Sequence, residues 1–86
     1  MHDKYSGLLE AMRRSQSNWT RHDLETLYLG FGFRIRRGRK HDIAIHKQYP
    51  ELRGTLPNHK SFAKGYIHYA VRLIDKLQEL RRKEED

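Results

Sequence analysis

The chain has 86 residues and no cysteine, which allows one domain with a thin core and excludes disulfide staples, thiolate metal sites and cysteine nucleophiles. No apolar run approaches the roughly 18–20 residues that cross a bilayer, so a cytoplasmic protein with no membrane partner is expected. The net charge is +7, and the stretch Arg34 to Lys64 accounts for all of it, with nine Lys or Arg against Asp42 and Glu51. Apolar residues alternate with the basic ones there, the pattern of a folded basic surface that meets a polyanion, nucleic acid above all.

In chain order, Tyr5–Arg14 sets Leu8, Leu9 and Met12 at helical spacing, and Ser15–Asn18 ends the helix. Thr20 is an N-cap candidate with Asp23 three residues on, where a carboxylate favours the helix start. Leu24, Leu27, Tyr28 and Phe31 follow as one helical stripe, and Gly32 suits the left-handed residue after the helix. Phe33–Arg37 alternates as a half-buried strand, with Phe33 and Ile35 inward and Arg34 and Arg36 outward. After a Gly38–Lys40 turn, His41–His46 reads as a strand with Ile43 and Ile45 inward, and Gly54–Pro57 as a third strand with Leu56 inward. A last helix is expected from about Lys64–Tyr66 to Arg82, with the stripe Ile67, Ala70, Val71, Ile74 and Leu77 widened by Leu73 and Leu80.

The expected fold is α+β: helix, three-stranded antiparallel sheet, helix, with an extra N-terminal helix and the sheet packed on helices over one face. Residues 1–18 form the helical extension, 19–83 the domain and 84–86 an acidic tail.

His41 and His46 are five apart on one strand and so point to opposite faces, which argues against a shared metal. No metal or other cofactor is called for. His41 follows Arg39 and Lys40 at the start of its strand. One reading is a strand-edge histidine continuing the Ile43/Ile45 face; the other is a general base, since imidazole takes and returns protons near neutral pH. Arg39 and Lys40 would then hold the scissile phosphate. By parity His46 falls on the open face with Arg34 and Arg36, as a phosphate or base contact. His59, Lys60 and Lys64 lead into the last helix and suggest a phosphate site there.

Taken together, Phe31–Arg37, His41–His46, Thr55–His59 and Ala63–Tyr66 resemble, in order, the motifs of the HicA family of prokaryotic toxins, over roughly Trp19 to Leu80. The resemblance implies a fold like that of double-stranded-RNA-binding domains and a type II toxin: an mRNA interferase, an endoribonuclease held in check by a HicB-type antitoxin. It places the catalytic histidine at His41 and family signatures at Leu56, Pro57 and His59 and at Lys64 and Gly65. The RNA contacts expected on the basic surface are Arg34, Arg36, Arg37, Arg39, Lys40, His46, His59, Lys60 and Lys64. His41 would deprotonate a ribose 2′-hydroxyl without a metal. Arg39 and Lys40 stand where a Gly-Ser pair is usual, a departure that favours a second reading, a non-catalytic module for duplex RNA. A third is a basic protein-interaction domain, which the broad apolar face of the last helix suits. RNA sequence preference and homo-oligomer formation stay open.

Overall fold

The computed structural model describes residues 4–58 and 63–85. Their order is α1 (Lys4–Arg14), α2 (Arg21–Gly30), β1 (Phe33–Arg36), β2 (His41–His46), β3 (Arg53–Pro57) and α3 (Lys64–Glu85). The expected α+β class and order hold, with each boundary within a few residues of its expected place. Three strands form an antiparallel sheet in the order β1-β2-β3. α2 packs on β1 and β3, α3 packs on β3, and α1 lies against α2 and α3.

Local chemistry explains the boundaries. Thr20 and Asp23 close a reciprocal capping box: the Thr20 hydroxyl accepts the Asp23 N–H at 3.1 Å and the Asp23 carboxylate accepts the Thr20 N–H at 2.9 Å. Phe31 caps the other end of α2, and Gly32 follows at φ +91°, where a Cβ is disfavoured. The α2 stripe is buried as expected, and so is the stripe of α3.

α1 is more than an appendage. Leu9 and Met12 are buried in the common core. The Arg13 guanidinium donates two parallel bonds of 2.9 Å to Asp75 of α3, a planar fork that fixes the angle between the helices.

The sheet departs from expectation in one respect. β2 pairs Phe33 with His46, Ile35 with Ala44 and Asp42 with Leu56, and paired residues share a face. The inner face of β2 is therefore Asp42, Ala44 and His46, whereas Ile43 and Ile45 lie on the outer face with His41. The cause is steric. Tyr28 and Phe33 meet edge to face at 5.0 Å over the sheet, and a Cβ on Gly54 would collide with the Tyr28 ring. The Ala44 and Gly54 positions under these rings take small side chains, so Ile43 and Ile45 turn outward.

Candidate nucleic-acid interface

The β1–β2 turn is built around Asp42. Its Oδ1 accepts the Gly38 N–H at 3.0 Å, and its Oδ2 pairs with Arg37 at 2.8 Å and with Arg21. The Gly38 N–H is the main influence holding the Asp42 carboxyl below its usual range, with Arg37 and Arg21 adding to it against the effect of burial. Arg37 also meets Glu25 at 3.3 Å. The turn is tight enough that a Cβ on Gly38 would strike the His41 carbonyl oxygen. Arg39, Lys40 and His41 are exposed along it.

This arrangement revises the expected site. His41 lies opposite Pro57 and shares a face with Ile43 and Ile45 as expected, but that face is the outer one, so His41 is open to solvent. Arg34, Arg36, Arg39 and Lys40 are exposed, and among the described residues none of them forms an ion pair. Arg37 is different, because two carboxylates already engage it. Lys64 is exposed at the start of α3, and His59 and Lys60 lie outside the described residues.

His46 is corrected outright. It is 1% exposed, on the inner face, and has no access to a polyanion. Its Nδ1 accepts the N–H groups of Gln48 and Tyr49 at 3.1 and 3.2 Å, which requires a lone pair there. The proton therefore sits on Nε2, which donates to the Phe31 carbonyl at 3.1 Å. Burial, joined by the Arg81 charge, depresses its pKa and keeps the ring neutral. The ring also stacks edge to face on Phe33 at 4.9 Å. Its role is to pin the β2–β3 connection to the end of α2.

Arg53 is a further exposed arginine of this face, one that its sequence position does not single out. It pairs with Ile45 across β2–β3, so it shares the outer face with Arg34 and Arg36 and flanks Ile45 from the side opposite Arg34. Its Nε donates to the Pro50 carbonyl at 2.9 Å, which aims the guanidinium. The available signal was the alternation of β3, in which inward Leu56 places Arg53 and Thr55 outward. Ile45 is 7% exposed although it lies on the outer face, consistent with arginine stems lying over it. The resulting surface is a ridge of guanidinium groups over two isoleucines, with His41 at one corner.

Among the described residues no cluster of three or more histidines or carboxylates is placed to hold a metal ion, and no helix is long and apolar enough to cross a membrane. No protein-family model, curated protein or solved structure matches this chain.

Proposed function

We propose that the chain binds RNA across the outer sheet face and the β1–β2 turn, and cleaves it as a HicA-like endoribonuclease of a toxin–antitoxin pair. The observation that carries the reading is the position of His41, exposed on the face of Arg34, Arg36 and Arg53 and directly after Arg39 and Lys40. A base, a phosphate-binding turn and a basic track then adjoin one another.

In this mechanism His41 takes the proton of a ribose 2′-hydroxyl. The 2′-oxygen attacks the adjacent phosphorus, the bond to the 5′-oxygen breaks, and that oxygen takes a proton from water. The products are a 2′,3′-cyclic phosphate and a 5′-hydroxyl. Arg39 and Lys40 stabilise the charge gathering on the non-bridging oxygens. A HicB-type antitoxin is the protein partner this reading implies.

The test is incubation of a long mixed-structure RNA in EDTA with wild type and with His41→Ala. Wild type alone should yield fragments ending in 2′,3′-cyclic phosphate, and the variant should lose about 10²–10⁴-fold in rate while keeping its RNA affinity. Equal loss of cleavage and affinity would sink the catalytic role. Intact RNA in both, with binding retained, would select the non-catalytic RNA-binding module, the reading favoured by Arg39-Lys40 in place of Gly-Ser.

A further inference from the structure

We propose that the pocket between β3 and the first turns of α3 receives one unstacked nucleobase of single-stranded RNA, stacked on Tyr69. The inference rests on the RNA-cleaving reading and narrows its substrate to unpaired nucleotides.

The pocket encloses about 340 Å³ and is lined by Thr55, Ala63, Gly65, Tyr66 and Tyr69. That size lies in the range of small-molecule sites, and the walls are apolar except for the Thr55 hydroxyl and the tyrosine tips. Tyr69 is 53% exposed, a large aromatic ring left open to solvent. It is nonetheless held in place, because its hydroxyl donates to the Arg53 carbonyl at 3.0 Å. A fixed ring with an open face is a stacking platform.

Two observations select a nucleobase over an apolar protein segment. The first is charge. Tyr69 also borders a groove with His68, Arg72 and Lys76 on the outer side of α3, and Arg53 lies beside it on β3. Aromatic rings set among cations are the combination that single-stranded nucleic acid takes. The second is position. His41 is opposite Pro57, and Thr55 is two residues along β3 on the same face, a diagonal neighbour at about 7–8 Å. A phosphate at His41 and a base over Thr55 can thus belong to neighbouring nucleotides. A duplex keeps its bases paired and stacked, so only an unpaired nucleotide can supply one.

The test measures binding of an uncleavable 2′-O-methyl oligoribonucleotide as a single strand, as a duplex with its complement, and as single strands with one abasic residue at successive positions. Wild type should prefer the single strand, and an abasic residue at one position should weaken it. Tyr69→Ala should lose about 5- to 150-fold on the single strand and become indifferent to the abasic position. Tyr69→Phe, which keeps the ring but loses its tether to Arg53, should fall between wild type and Tyr69→Ala and keep its sensitivity to the abasic position. Undiminished binding by Tyr69→Ala, or wild type blind to every abasic position, would overturn the base pocket while leaving RNA binding intact. Wild type that binds neither strand nor duplex would overturn both readings. The abasic series needs no variant, so the outcome does not depend on how Tyr69→Ala folds.

Discussion

His46 illustrates how a polar residue occupies a hydrophobic interior without a penalty large enough to exclude it. All of its polar atoms are engaged: Nδ1 by two backbone N–H groups and Nε2 by a carbonyl. The arrangement holds for the neutral ring alone, because protonating Nδ1 sets a third N–H against two donors. The folded pKa is depressed below the ordinary 6.5, so the unfolded chain binds the proton more readily. The stabilising contribution is therefore complete above about pH 6.5 and is lost as pH falls from there through the lower folded value. Thermal melts between pH 7.5 and 5 should show a falling midpoint, and His46→Leu should flatten the share of that slope due to His46. The same substitution should lower stability at pH 7.5 by about 1–3 kcal/mol, since the Gln48 and Tyr49 N–H groups lose their acceptor. A slope unchanged in His46→Leu would assign the acid sensitivity elsewhere. Asp42 follows the same logic with a carboxylate, and its partners Arg21, Arg37 and Gly38 close the turn that presents His41.

At the scale of elements, α1 contributes to the core although the sheet and the two helices covering it come from residues 21–85. Met12 is fully buried, and truncation to alanine should cost about 2–5 kcal/mol through lost transfer energy and the cavity left behind. Denaturant titration checks this, with an unchanged midpoint arguing that α1 is loosely attached. The helices were legible because their cues are local: the Thr20–Asp23 capping box and the apolar stripes of α2 and α3 are each set within one segment. The three strands were legible for the same reason. The facing of β2 was not. Alternation in His41–His46 offers two parities, and hydrophobicity favours the isoleucines inside. The opposite parity prevails because Tyr28, from a helix distant in sequence, occupies the space over Ala44 and Gly54. That choice moved His41 to the solvent side, buried His46 and set Arg53 across Ile45 from Arg34. Half of the candidate site therefore depended on a packing contact that no single segment records.

For the molecule as a whole, positive charge is concentrated on one side of the sheet and along the turn that begins β2. Binding to RNA through this surface should be steeply salt-dependent. Five phosphate contacts, from Arg34, Arg36, Arg39, Lys40 and Arg53, would give a slope of log K against log salt of about −3.5 on a single strand. Replacing Arg39 and Lys40 together with alanine should reduce its magnitude by about 1.4. Filter-binding or anisotropy titrations over a range of salt concentrations measure both, and a slope near zero would remove phosphate contacts from the account.

β1 is an edge of the sheet, four residues long, and two of the four are arginines facing solvent. An edge offers a row of vacant backbone donors and acceptors to any second copy, and charge crowded on so short a strand is a deterrent to that pairing. On the RNA-binding proposal Arg34 and Arg36 would serve twice, as phosphate contacts and as a deterrent to strand-to-strand pairing of copies. Removing them to weaken RNA binding also removes this protection, and lost affinity would then arrive together with self-association. Arg39 and Lys40, in the turn and off the edge, are the pair that separates the two effects.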